Sequence, residues 1–299
     1  MPADLRHLRS FVVVAEEAHI GRAATRLFIT QPALSRQIQQ LEREIGALLL
    51  VRTPRGVELT EAGSELLLRA RVALQAAEDA LAVGRLDQPH GTLTLGLPLA
   101  GMRERWFGLV QSYMQRYPAV EVRQRESMTE QLQDQLLAGQ LDGVLGLAPS
   151  RVAGLTYTHV HDETLSVWLH YEHPLAGRAQ LALDELEGVR VTLVGGKAAA
   201  RSGFNAAVRA LFAAAGVQPE FVATPELFPA RAGRDPDYLG ISGAIDFPPE
   251  VVRVALQPAL SLPYEFVQRA GVNSVAVRAF APFAAEYLAA SCTPDMTPT

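Results

Sequence analysis

The sequence is poor in cysteine, lysine and long apolar runs, and each shortage removes a class of function. The one cysteine, Cys292, has no intrachain partner, which excludes a two-cysteine redox switch within a single chain. The one lysine, Lys197, is followed by Ala198 and lacks the earlier glycine of a phosphate-cradling loop, and no GxSxG, HExxH or dinucleotide fingerprint occurs. No enzymatic motif is present, so neither catalysis nor a cofactor is expected. No apolar run approaches the ~18 residues of a membrane span, and the opening MPADLRHLRS lacks a signal-peptide core. The expectation is a cytoplasmic protein with no membrane partner. A hydrophobic fraction of 48% excludes general disorder, and 299 residues suggest two or more folding units.

Net charge is -5, which at first disfavours a nucleic-acid partner, but its distribution matters. Residues 1–60 hold eight arginines and six acidic residues (+2), leaving 19 basic and 26 acidic residues (-7) in the rest. In that cationic end Leu5, Leu8, Phe11, Val12 and Ala15 form one helical stripe behind an Asp4 N-cap. A second helix is expected over Ile20 to Leu27, with Ala23 and Ala24 small enough for a close crossing. Thr30 is placed to cap a third, with Pro32 in its first turn, Leu34, Ile38, Leu41 and Ile45 on its buried face, and Gly46 as its stop. The opposite face carries Gln31, Ser35, Arg36, Gln39, Gln40 and Arg43. Two helices joined at Phe28-Ile29-Thr30 in this way make a helix-turn-helix.

The following LLLVRTPRGVELT reads as a hairpin wing with Arg55 near its tip. Thr60 then opens a helix of about 27 residues, roughly 40 Å long. Along it Gly63, Leu67, Ala70, Leu74, Ala77, Leu81 and Gly84 alternate by four and three, a heptad seam read as a self-association surface. Beyond Gln88-Pro89-His90-Gly91, strand and helix signals alternate, which predicts an α/β body with mostly parallel sheets. The tail CTPDMTPT has no periodic signal and is expected to be disordered, residues 293–299 in particular.

The chain closely resembles the LysR-type transcriptional regulators. The resemblance rests on Ala23-Ala24, Leu27, the run Gln31 to Ile38, Leu41-Glu42 and Gly46, then Leu59 to Gly63. Tyr117-Pro118, Gly139 to Asp142, His173 to Ala176 and Leu239 to Ile241 look like further markers. It implies a winged helix-turn-helix domain over 1–59, a long linker or dimerisation helix over 60–88, and an α/β effector domain over 91–292. That domain would have two lobes like a periplasmic binding protein, lobe one 91–163 with 268–292 and lobe two 164–267. It also implies double-stranded promoter DNA and a small-molecule effector as partners, and homodimers pairing into homotetramers. His19 and Gly21 stand where family members often place a hydroxyl, so a weaker cap is expected there.

For DNA, Gln31, Ser35 and Arg36 are the candidate base readers, with Thr30 and Pro32 beside them, because Gln and Arg can bond base edges bidentately. Gln39 and Arg43, and Arg52, Thr53 and Arg55 of the wing, suit phosphate or minor-groove contacts. For the effector, Leu99, Ala100 and Gly101 lead from strand to helix and Thr129 is expected to cap the next helix. Lys197 and Arg201, four apart, would add positive charge, which suggests an anionic ligand. His159, His161, His170 and His173 fall within fifteen residues, which with Glu163 leaves a metal-responsive regulator as an alternative. A solute-binding protein would explain the α/β body but leave residues 1–86 without a role.

Overall fold

The computed structural model describes residues 4–54, 56–81, 88–98, 103–194, 201–224, 235–243, 249–271 and 274–291. The tail over 293–299 lies outside them. The chain divides into two compact units, Met1–Gln88 and Pro89–Thr299.

The first unit begins with α1 (Leu5–Glu17), α2 (Ile20–Arg26) and α3 (Gln31–Ile45). Asp4 caps α1 by accepting from the Arg6 N–H, and Thr30 caps α3 by accepting from the Ala33 N–H. Gly46 ends α3 in the left-handed region at φ 77°. The apolar faces converge, since Phe11, Val14, Leu34 and Leu41 are fully buried and Ala23 and Ala24 nearly so. Small alanines at the crossing let α2 lie close to its neighbours, as a helix-turn-helix requires. Ser10 donates to Gln37 Oε1 at 2.6 Å, a polar tie between α1 and α3. A hairpin of β1 (Leu50–Thr53) and β2 (Gly56–Leu59) follows, pairing Thr53 with Gly56.

α4 (Glu61–Leu81) closes this unit. Its 21 described residues span about 31 Å. The heptad seam meets a different partner from the one expected. Leu67 and Ala70 are buried and Leu74 half-buried in the same core as Phe11 and Val14, and Arg71 reaches Glu16 of α1 at 3.1 Å. α1 therefore covers the first half of the seam. Residues on another face of α4, Val72 and Ala76, are exposed, and Leu68 is half-buried.

The second unit holds two mixed sheets. The first contains β3 (Gly91–Pro98), β4 (Val120–Ser127), β5 (Gly143–Leu147), β6 (Leu155–Thr164) and β13 (Ser261–Arg269), in the order β4-β3-β5-β13-β6. α5 (Arg103–Arg116), α6 (Thr129–Leu137) and α8 (Val275–Ser291) pack with it. The second contains β7 (Ser166–His170), β8 (Gln180–Ala182), β9 (Arg190–Val194), β10 (Glu220–Thr224), β11 (Leu239–Ser242) and β12 (Val251–Gln257), in the order β10-β9-β11-β7-β12-β8, with α7 (Gly203–Ala214). The expectation of mostly parallel sheets holds by a narrow margin, with β3–β4, β3–β5, β9–β10, β9–β11 and β8–β12 parallel. β5–β13, β13–β6, β11–β7 and β7–β12 are antiparallel, because the strands that carry the chain between lobes run against their neighbours.

Those crossing strands also move the expected lobe boundary. β13 pairs with β5 and β6, and its Phe266 is fully buried beside Leu93, Trp106 and Phe280 in the core of the first sheet. Residues 261–267 thus belong to lobe one. The chain crosses once between Thr164 and Ser166 and returns between Gln257 and Ser261. No helix among the described residues is long and apolar enough to cross a membrane.

Candidate nucleic-acid interface

The exposed side of α3 presents Gln31, Pro32, Arg36, Gln39 and Arg43 to solvent, with Ser35 half-buried between them. Thr30, at the N-cap, is exposed as well. The helix is anchored from behind by Leu34, Ile38 and Leu41, so its polar face is held on a rigid element. Arg36 Nε donates to its own Pro32 carbonyl at 3.4 Å, and Arg43 is steadied by the Gln39 carbonyl and by Gln40 Oε1 at 2.7 Å. Arg52 is exposed on β1 and Thr53 is half-buried beside it, while Arg55 lies outside the described residues.

Most described arginines of this unit have carboxylate partners, Arg6 with Asp4 and Arg69 with Glu65 among them. Arg22 and Arg26 pair with Glu16 and Glu17, and Arg71 with Glu16, at 2.9 to 3.5 Å. Among the described residues no carboxylate lies within ion-pair distance of Arg36, Arg43 or Arg52. Arg22, Arg26 and Arg71 neutralise the scaffold. The guanidinium groups of Arg36, Arg43 and Arg52 stay outside that scaffold network and are chemically able to meet an anion.

Several side chains that set this geometry are not legible as such in the sequence. Glu42 Oε1 accepts from the Leu49 and Leu50 N–H groups at 2.9 and 3.3 Å, tying the start of the wing to α3. Thr60 donates to the Leu48 carbonyl at 2.7 Å and accepts from the Gly63 N–H at 2.9 Å. A Cβ on Gly63 would stand 2.0 Å from the Leu49 carbonyl oxygen, so glycine is what lets α4 approach the wing. The Val57 N–H donates to the Ala18 carbonyl at 3.0 Å, fixing the second wing strand to the end of α1. The expected weak cap of α2 is corrected: His19 Nδ1 accepts from the Gly21 and Arg22 N–H groups at 3.0 and 3.4 Å, so an imidazole takes the hydroxyl's place.

In the second unit the effector candidates divide. Leu99, Ala100, Gly101 and Lys197 lie outside the described residues. Thr129 does not cap α6. Met128 holds the extended cap position, with no side-chain bond, and the hydroxyl comes one residue too late. Arg201 is not poised for an anion, because Asp134 on α6 takes its guanidinium at 3.0 and 2.8 Å. That pair, which lowers the Asp134 pKa and raises that of Arg201, straps lobe two to lobe one. Close by, Ser150 donates to the Arg201 carbonyl, and a Cβ on Gly203 would lie 2.4 Å from the Ala148 carbonyl oxygen.

A polar cluster lies at the outgoing crossing. Glu163, near the end of β6, is buried and meets Arg105 of α5 at 3.4 Å and His161 at 3.8 Å. A Cβ on Gly243, just past β11, would stand 2.4 Å from Glu163 Cγ, so lobe two closes directly on this carboxylate. The histidines do not assemble. His159 bonds Asp162 at 3.0 Å, His161 turns to Glu163, and His170 lies in the other sheet beside Glu172. Among the described residues no group of three or more potential ligands could hold a metal ion, which removes support for the metal-responsive alternative.

Comparison with known proteins agrees with this architecture. Residues 5–64 match the model of the bacterial regulatory helix-turn-helix protein, lysR family, and residues 86–230 match the LysR substrate binding domain. The chain is 38% identical over 193 residues to the HTH-type transcriptional regulator AlsR of Bacillus subtilis (strain 168), covering 61% of each chain. It is 40% identical over 187 residues to the HTH-type transcriptional regulator BudR of Raoultella terrigena, covering 61% of this chain and 64% of that one. The matched stretch thus spans less than two thirds of these relatives. Among solved structures, a full-length OxyR variant from Pseudomonas aeruginosa is similar with a TM-score of 0.74 at 21% identity, covering 95% of this chain and 94% of that one. Full-length CbnR complexed with its target DNA is similar with a TM-score of 0.53 at 23% identity, covering 95% and 99%. At those identities the likeness is one of fold.

Proposed function

The chain belongs to the LysR-type transcriptional regulators, and on that footing we propose that it binds duplex DNA through α3 and the wing and regulates transcription in response to a small effector. The observation that carries this reading is the division of arginines. A cationic face with no carboxylate partners among the described residues sits on the one helix whose glutamine, serine and arginine can reach base edges. The DNA complex of a structural neighbour, CbnR, supports the same use of the fold.

The effector would sit between the two lobes, where the chain crosses twice. Arg105, His161 and Glu163 line the outgoing crossing, and the segments carrying Leu99 to Gly101 and Lys197 enter the same reading from sequence alone. Binding there would change how the lobes close, and so the spacing of paired DNA-binding heads. Homodimers, assembling to homotetramers, would form through the face of α4 that bears Leu68, Val72 and Ala76, since α1 already covers Leu67 and Ala70. A cytoplasmic location and the lack of catalytic activity belong to this same proposal.

The test compares operator with scrambled duplex across salt concentrations. Arg36→Ala should weaken operator binding by about 10- to 100-fold, the scale of one lost bidentate base contact, and leave scrambled DNA nearly unaffected. Arg52→Ala should weaken both alike and reduce the salt slope by about 1. Equal losses on both duplexes for Arg36→Ala would remove that residue from base reading.

A further inference from the structure

Phe28 stands in the turn between α2 and α3 at 96% exposure, an outlier for an aromatic side chain. Its backbone is an outlier too, with φ 57° in the left-handed region. The turn itself explains the conformation. The Phe28 N–H donates to the Thr25 carbonyl at 3.1 Å and the Ile29 N–H to the Ala24 carbonyl at 3.0 Å, a hook that ends α2 and needs one left-handed residue. Glycine or asparagine would take that conformation at least cost, because neither sets a bulky branched or aromatic side chain against a positive φ.

Packing does not explain the phenylalanine. The apolar requirement of the turn is met by Ile29, which packs against the helix-turn-helix core together with Leu27. Phe28 thus combines a strained backbone with an apolar ring left in water, and gains nothing from its own domain. A single exposed ring needs no explanation by itself, but exposure combined with a left-handed backbone at one position points to an external partner.

The position indicates which partner. Phe28 lies two residues before Thr30, the cap of α3, and three before Gln31, with Pro32 next, all exposed at the leading end of the helix proposed to enter DNA. We propose that Phe28 is a further specificity-determining residue, making an apolar contact with duplex DNA at the edge of the α3 footprint. A thymine methyl or a deoxyribose face offers the surface such a ring would cover. This inference rests on the reading of α3 as the DNA-binding helix. The added contact is uncharged, so it displaces no counterions and should be insensitive to salt.

The full-length chain and the duplex it enriches from a random-sequence library provide the test. Phe28→Asn suits the left-handed turn, so its thermal midpoint should equal or exceed that of the natural chain. Its affinity for the enriched duplex should nonetheless fall about ten-fold, with the slope of log affinity against log salt unchanged. Phe28→Leu, which keeps an apolar side chain, should retain most of the affinity. Operator binding by Phe28→Asn equal to that of the natural chain would overturn the proposal, as would a loss that tracks a lowered thermal midpoint. A natural chain that enriches no duplex would instead overturn the reading of α3, which separates the two failures.

Discussion

His173 carries a lone-pair duty that ties stability to pH. Its Nδ1 accepts from the Leu175 N–H at 3.2 Å, and burial holds its pKa below the ordinary 6.5 against the opposing pull of Asp237. The folded state therefore binds fewer protons than the unfolded one. The stabilisation is complete above 6.5 and is lost as pH falls through the lowered folded value. Both tryptophans, Trp106 and Trp168, lie in the second unit, so their fluorescence reports its unfolding. The urea midpoint should drop as pH falls below 6.5, and His173→Asn, whose Oδ1 can accept the same bond, should flatten that drop. An identical pH profile in the variant would contradict the assignment. At this scale, local chemistry is readable in the sequence: Asp4, Thr30 and Gly46 cap where their types and spacing place them. Residues whose partners are remote are not. Arg201 has the sequence context of an anion ligand, yet Asp134, 67 positions away, holds it.

Among the elements, the wing shows how a remote partner sets a functional geometry. Glu42 leaves the inner side of α3 and receives two N–H groups from the start of β1, so helix and wing move as one body. Glu42→Ala would leave two part-buried donors unsatisfied, at a cost of about 1–3 kcal/mol for each group that finds no water. Hydrogen exchange at the amides of Leu49 and Leu50 in the intact chain should accelerate accordingly, with Glu42→Gln intermediate. Unchanged exchange would show that the wing is held by other contacts. Helices with a clear 3.6-residue period are readable, as α1 and α3 show. The strands Gln180–Ala182, Glu220–Thr224, Val251–Gln257 and Leu155–Thr164 are not. The first is three residues long, and the second follows directly on Pro219. Strand direction is hidden for a related reason: antiparallel pairing of β13 follows from a long-range return of the chain, which no local pattern encodes.

At the scale of the whole molecule, the two units divide the labour at which the charge distribution hints. The acidic remainder of the chain builds two mixed sheets linked by two crossings, while the cationic end over residues 1–60 sets Glu16 and Glu17 against scaffold arginines and leaves Arg36, Arg43 and Arg52 outside that network. Resemblance to a family implies the two-lobed plan, but the return crossing lies several residues earlier than resemblance suggests, because Tyr264 and Phe266 fill the core of the first sheet. The seam of the long helix, expected to meet a second chain, meets α1 over its first half, since a heptad pattern does not say whether the covering helix belongs to the same chain. The most direct test of the central claim is selection of duplex DNA from a random library by the full-length chain at a fixed salt concentration. The selected duplexes should converge on a dyad-related motif whose half-site centres lie a whole number of helical turns apart, about 10–10.5 base pairs each, and Arg36→Ala should lose that convergence. Recovery of unenriched sequences by both chains, with retention governed by salt alone, would contradict it.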